Sequence, residues 1–242
     1  MTRAVVVTGA GGGMGTAVTV RLAADGFVVV ATDCEQGRLE ALARTVEGAR
    51  TVVADLRDPA SSTAIERALD ATGAPLVGLV NLAGASVGDA IETIRDEEWD
   101  EAMAVNATGP MRLCRAFVPR MRLAGGGSIV NVSSPVAVQG ARKVSYAASK
   151  AALLGLNAAL ARALGRHGIR VNAILPGPTS TFMTSDWDDE KKARIARSTA
   201  LGRLCEPREI AGVVAFLLGP DSSYVTGAVL DVTGGALLGG AM

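Results

Sequence analysis

Tyr146 and Lys150 stand four residues apart in the stretch Tyr146-Ala147-Ala148-Ser149-Lys150. At helical pitch, residues four apart share a face, so the phenol and the ammonium point into one site. A tyrosine titrates near pH ~10, and a neighbouring cation favours the phenolate, bringing it closer to working pH. Such a pair suits proton transfer to or from a substrate oxygen. The spacing alone carries little, because a tyrosine and a lysine on an exposed helix face fall into this register by chance. Other parts of the chain must supply the context.

A second group with chemical potential lies near the amino end. Thr8-Gly9-Ala10-Gly11-Gly12-Gly13-Met14-Gly15 follows a short apolar run and opens a helical pattern. Glycines there permit a tight turn and let backbone N–H groups reach a pyrophosphate at the positive end of a helix. Asp33 comes twenty residues after Gly13, at the end of the second apolar run. A carboxylate at that place accepts hydrogen bonds from the adenosine ribose hydroxyls of a dinucleotide and repels a 2′-phosphate. Cys34 follows it, positions 10–14 hold no Arg or Lys, and Arg38, the nearby cation, is expected on the next helix. NAD is therefore expected over NADP.

The elements that must position these residues alternate along the chain. Apolar runs at 4–7, 27–31, 51–54, 76–80, 128–132, 169–175 and 228–232 are continuous, the pattern of strands covered on both faces. Helical patterns occupy 14–25, 36–47, 60–72, 97–123, 144–166 and 207–218. Asp58-Pro59 and Glu206-Pro207 read as helix starts with proline at a first helical position. This alternation predicts an α/β fold: a single domain over 1–242, with a Rossmann-type doubly wound parallel sheet of about seven strands and helices on both faces. The segment 179–203 has no strand pattern, carries mixed charge with Met183 and Trp187, and is expected to form a helical flap.

Composition removes other classes. Lys+Arg and Asp+Glu number 24 each in 242 residues, so no basic field points to nucleic acid or an anionic membrane. No apolar run approaches ~18 residues, which argues against a transmembrane helix, and a signal peptide is not expected either. Cys34, Cys114 and Cys205 are widely spaced, without C-x-x-C, and suggest reduced thiols in a cytoplasm. The lone histidine, His167, excludes a multi-histidine metal site, and no metal is expected. It reads as a surface cap between a helix and a strand.

Taken in order, these motifs resemble the short-chain dehydrogenase/reductase family over nearly the whole chain. The family's T-G-x-x-x-G-x-G loop is matched by Thr8, Gly9, Gly13 and Gly15, with Gly11 and Met14 inside it. Its acidic-apolar pair is similar to Asp55-Leu56, which the resemblance places against the adenine. The N-N-A-G turn is matched by Asn81-Leu82-Ala83-Gly84, with leucine in place of the second asparagine, and implies cofactor contacts from Asn81, Ala83 and Gly84. Pro176-Gly177, with Thr179 and Thr181, matches the turn and threonine expected at the nicotinamide amide.

The resemblance also implies a catalytic set of Asn106, a serine, Tyr146 and Lys150. Tyr146 would take or give the substrate proton, and Lys150 would lower the phenol pKa and bond the nicotinamide ribose. Asn106 would bind a water linking Lys150 to solvent. The family's usual count of thirteen residues before the tyrosine lands on Ser133, whereas aligning the strand between Gly127 and Gly140 selects Ser134. A one-residue slip turns a hydroxyl to the other face, and a loop absorbs a deletion cheaply, so Ser134 is the expected donor. The substrate is expected to be a small uncharged alcohol or ketone held by 85–89, 135–138 and 179–187. The implied assembly is a homotetramer through the helices after Asp96 and Val144 and the C-terminal strand region. Two alternatives stand beside this reading: an NADPH-dependent 3-oxoacyl-(acyl-carrier-protein) reductase, and an NAD-binding redox sensor without catalysis. Thr233-Gly234-Gly235 departs from the family's Asp-Gly-Gly, far from the implied catalytic set.

Overall fold

Successive residues of a strand face opposite ways, and most strands of this chain are apolar on both sides. In the computed structural model, which describes residues 2–181 and 187–238, that property builds one parallel sheet. The strands are β1 (Arg3–Thr8), β2 (Phe27–Asp33), β3 (Arg50–Val53), β4 (Leu76–Asn81), β5 (Gly127–Val132), β6 (Ile169–Pro176) and β7 (Val229–Val232). Their order is β3-β2-β1-β4-β5-β6-β7, and every pairing is parallel.

Val5 and Val7 of β1 join a core layer with Val18 and Leu22, Leu39 and Leu42, and Ile210 and Val214. Those residues come from α1 (Gly13–Ala24), α2 (Gln36–Thr45) and α9 (Pro207–Leu218). Ala4 and Val6 face the opposite layer, with Ile65, Leu113, Phe117 and Leu164. That layer is supplied by α3 (Ser61–Asp70), α5 (Gly109–Leu123) and α7 (Val144–Leu164). Each fully buried aliphatic side chain contributes about 1.5–3 kcal/mol through removal from water. The remaining helices are α4 (Asp96–Met103), the single turn α6 (Val136–Gln139) and α8 (Asp189–Arg197).

β1 lies between β2 and β4, and this is where the direction of strand succession reverses. Open α/β sheets bind ligands in the crevice beyond the carboxyl ends of strands at such a point. The glycine loop leaves β1 there, beside the turn that leaves β4.

Two local readings of the sequence need correction. Asp58-Pro59 does not place proline at a first helical position, because α3 starts at Ser61. Asp58 accepts hydrogen bonds from Ala60 N through its side chain and Ser61 N through its backbone, forming a turn ahead of the helix. The helix expected over 97–123 is also not continuous. A π-helical stretch, Ala104–Thr108, separates α4 from α5 and carries Asn106. An added residue in a helical turn shifts the register of the side chains on either side, which is why such bulges recur at functional sites. Met183 lies outside the described residues. Among those described, no helix is long and apolar enough to cross a membrane.

Candidate active site

The glycine loop presents backbone to a cavity of about 740 Å³ at the carboxyl end of the sheet. Gly9 has φ +64°, and a Cβ there would come within 2.8 Å of Ala83 Cα. At Gly13 it would meet Thr181 Cβ at 2.8 Å, and at Gly15 it would collide with the Gly9 carbonyl oxygen. The first turn-forming bond at this end of α1 runs from Thr16 N to Gly12 O, and no side chain caps the helix. The amides of Gly13, Met14 and Gly15 are thereby left to a ligand, at the positive end of the helix. This cradle of bare backbone and helix start suits the pyrophosphate of a dinucleotide.

The neighbouring strand ends hold the loop in place. Thr8 Oγ1 accepts hydrogen bonds from Leu82 N and Ala83 N, each at 3.1 Å, fastening the β1 end to the β4 turn. Asp33 accepts Gly11 N at Oδ2 and Glu35 N at Oδ1, both at 3.1 Å. Its carboxylate borders the cavity with Asp55 and Leu56. Asp55 is clasped by the Arg57 guanidinium at 2.6 and 2.9 Å, and that pairing holds its carboxyl below the usual range.

The long helix α7 points Tyr146 and Lys150 into the same cavity. Lys150 is buried, its Nζ donating to Val132 O at 2.9 Å and lying 5.9 Å from the Tyr146 ring centre. Burial pulls its ammonium down to about 8. The expected effect of Lys150 on the phenol is not what this arrangement produces. Burial pushes Tyr146 above its ordinary value, opposed only by a hydrogen bond with the Ser134 side chain. The Lys150 ammonium is turned to a backbone carbonyl, so desolvation of the phenol prevails.

Just beyond β5 the two serines have different partners. Ser133 lies on the cavity wall, but its hydroxyl is buried and donates to Lys150 O at 2.8 Å. Ser134 is the one whose hydroxyl meets Tyr146. Ser134→Ala should therefore lower kcat roughly a hundredfold while Ser133→Ala lowers it by less than about tenfold, because removal of one polarising donor costs ~10²–10³. Steady-state rates of the two variants check this, and a larger loss for Ser133→Ala would reverse the assignment.

Asn106 is fully buried, and its amide is held by protein groups rather than facing the cavity. Oδ1 accepts Ala85 N at 2.9 Å, and Nδ2 donates to Ala85 O and to Ser149 Oγ, each at 2.9 Å. Ser149 in turn donates to Tyr146 O at 3.0 Å. The π-helical stretch, the loop after β4 and the helix bearing Tyr146 are joined at this point. Nothing in the sequence singles out Ser149 beyond its place inside the Tyr-x-x-x-Lys stretch.

Other expected contacts lie elsewhere. Asn81 is a correction: it is buried off the cavity wall, donating to Asn131 Oδ1 at 2.9 Å beside Cys114. As the last residue of β4, its side chain is directed by strand register into the sheet's helix-covered interior, while Ala83 and Gly84 beyond it reach the cavity. Pro176, Gly177 and Thr179 also do not line this cavity, although Thr181 does. A Cβ on Gly177 would meet Thr233 Cα at 2.7 Å, and Thr179 Oγ1 donates to Gly177 O, so this turn packs against the chain after β7. Trp187 lies under the Lys191 ammonium, 4.7 Å from ring centre to nitrogen. His167 ends a 3₁₀ turn between α7 and β6, its Nε2 accepting from Arg166 Nε at 3.2 Å. Among the described residues, no group of three or more His, Cys, Asp or Glu is placed to hold a metal.

Comparison with known proteins agrees with this geometry. Residues 9–236 match the family model described as enoyl-(acyl carrier protein) reductase. The chain is 36% identical over 247 residues to mouse (Mus musculus) (3R)-3-hydroxyacyl-CoA dehydrogenase, covering 96% of this chain and 95% of the relative. It is 36% identical over 236 residues to the 3-oxoacyl-(acyl-carrier-protein) reductase of Pseudomonas aeruginosa, covering 95% of each. The solved structure of a Brucella melitensis 3-ketoacyl-(acyl-carrier-protein) reductase complexed with NADH superposes with a TM-score of 0.91 at 31% identity, over 97% of this chain and 98% of that one. An NAD+-bound xylitol dehydrogenase gives 0.90 at 29% identity, over 96% and 98%.

Proposed function

The chain belongs to the short-chain dehydrogenase/reductase family, oxidoreductases of CH–OH donors that use a nicotinamide cofactor, and on that premise we propose an NAD-preferring enzyme for a small secondary alcohol or ketone. The observation that carries this reading is that Tyr146 and Lys150 line one cavity with Gly9 and the backbone of Gly11–Met14, and that the Ser134 side chain bonds the Tyr146 phenol. Gly13, Met14 and Gly15 would hold the pyrophosphate, Asp33 the adenosine ribose, and Asp55 with Leu56 the adenine. NAD, when bound, supplies the hydride acceptor of the reaction. Tyr146 holds the proton exchanged with the substrate oxygen, since a phenol is protonated at neutral pH and burial favours that form further. Ser134 donates a hydrogen bond to the same oxygen and fixes it within reach of the phenol. Lys150 supplies positive charge beneath both groups. Asn106, through Ser149, anchors the helix turn that carries Tyr146.

Asp33 supports NAD over NADP, since a carboxylate against a 2′-phosphate is repulsive. Three unpaired cysteines support a reducing compartment such as the cytoplasm. Trp99 on α4, Val229 on the edge strand β7 and Tyr224 nearby are exposed apolar groups that a homotetramer would cover. The segment 179–203, containing α8 without a buried residue, would act as the flap over the substrate. A second reading, a 3-hydroxyacyl thioester as the substrate, is favoured by the acyl-CoA and acyl-carrier relatives.

The test is a spectrophotometric screen of the full chain with NAD+ and NADP+ against small secondary alcohols and a 3-hydroxyacyl thioester. NAD+ should give kcat/KM at least about tenfold above NADP+, a difference of ~1.4 kcal/mol. Faster turnover with NADP+ would reject the cofactor preference. Tight NAD+ binding with no turnover of any compound would favour a sensor.

A further inference from the structure

The adenosine end of the cavity contains a closed ring of contacts that the NAD preference alone does not require. Asp33 Oδ2 accepts Gly11 N, and Asp33 Oδ1 accepts Glu35 N. The Glu35 carboxylate holds the Arg38 guanidinium at 2.8 Å. Arg38 returns to the start, since a Cβ on Gly11 would come within 2.5 Å of Arg38 Cβ. Gly11, Asp33, Glu35 and Arg38 all line the cavity. Gly37, between the ion-paired residues, also lines it, and a Cβ there would meet nothing within 4 Å. The wall therefore has room beside a cation whose charge is occupied by its neighbour.

We propose that Glu35 is a second specificity-determining residue, which withholds Arg38 from the 2′-phosphate of an adenine dinucleotide. This rests on the NAD preference assigned to Asp33 and extends it to a residue that need not touch the ribose. Asp33 repels a 2′-phosphate directly. Glu35 adds a second negative charge and occupies the Arg38 cation of this wall. Arginine is the side chain best suited to grip a phosphate in two-pronged fashion, so its engagement matters more than its presence. The pair is half-exposed on both sides, so it supplies only part of the discrimination, and the Glu35 charge beside the incoming phosphate supplies the rest. Glu35 makes no side-chain capping bond to α2, so its replacement leaves the helix start unchanged.

Equilibrium binding of NADH and NADPH, followed by their fluorescence at low salt, tests this without turnover. Glu35→Gln should tighten NADPH about tenfold, the size of one charge-assisted contact, and leave NADH within about twofold. The gain should vanish in Glu35→Gln/Arg38→Leu, where the aliphatic stem still covers Gly11 but the charge is gone. Equal changes for both dinucleotides, or a gain that persists without Arg38, would overturn the role of Glu35. The unmodified protein separates the two ideas. NADPH binding as tight as NADH would reject the preference at Asp33, whereas the change caused by Glu35→Gln still reports on the Glu35–Arg38 pair.

Discussion

Tyr146→Phe should lower kcat roughly a thousandfold, within the ~10²–10⁴ that a positioned general acid or base supplies. The substitution removes one oxygen and keeps the ring, so the half-buried site loses little packing. Ser134 loses its partner on the phenol but retains its contact with Val136 N, leaving the turn into α6 intact. The affinity for NAD should change by less than about threefold, because the glycine loop and Asp33 are held by Thr8, Gly11 and Glu35 bonds that do not involve the phenol. Pre-steady-state or steady-state rates, paired with a separate NADH binding measurement, distinguish lost chemistry from lost cofactor. Turnover retained at a tenth of the parent rate or better would mean that another group carries the proton.

Lys150→Met should separate activity from stability. Turnover should fall roughly a hundredfold or more, since preorganised charge at a reacting centre is among the largest contributions to rate. Stability should move the other way at neutral pH. The folded lysine titrates near 8 against an ordinary 10.5, so below pH 8 the native state carries a buried cation at a cost of about 3 kcal/mol. The bond to Val132 O is worth about 1 kcal/mol and offsets part of this. A buried methionine of similar length avoids the cost of the buried charge and gives up only that bond. The sign of the pH dependence follows from linkage. A lysine with a depressed folded pKa releases its proton first in the native state, so the unfolded chain binds more protons between pH 8 and 10.5, and stability rises with pH there. The variant should therefore be about 1–2 kcal/mol more stable at pH 7, with the advantage shrinking and reversing towards pH 10.5. Denaturant midpoints of both proteins across that range measure it. A variant less stable at pH 7 would show that the cation is better compensated than its surroundings indicate.

Much of the fold was legible because buried parallel strands announce themselves as continuous apolar runs. All seven expected runs lie within two residues of observed strands, and Pro207–Leu218 forms the expected helix. The helix over 97–123 misled for a physical reason. The π-helical stretch at Asn106 shifts the apolar register once inside a pattern that is helical on both sides, and a reading of helix against strand does not resolve a single shift. Pro59 misled because proline fits a turn before a helix as well as a first helical turn.

At the site, residue type and spacing marked Tyr146, Lys150, the glycine loop and Asp33 as candidates, the order of motifs along the chain supplied their context, and the structure brings them to one cavity. Gly9 and Gly13 are required by Ala83 and Thr181, which approach from distant parts of the chain, but the need for glycine was visible without them. The sequence alone determined the fold class, the dinucleotide cradle and the pairing of a phenol with an ammonium on one helix face. Only the tertiary structure decided the state of that pair. Lys150 turns to Val132 O, Ser133 is spent on Lys150 O, Asn81 is drawn into the sheet interior, and Asn106 reaches Tyr146 through Ser149. Each of these depends on which carbonyl or amide a buried polar atom finds within reach. That partner is fixed by how strands and helices pack, and no local pattern encodes it.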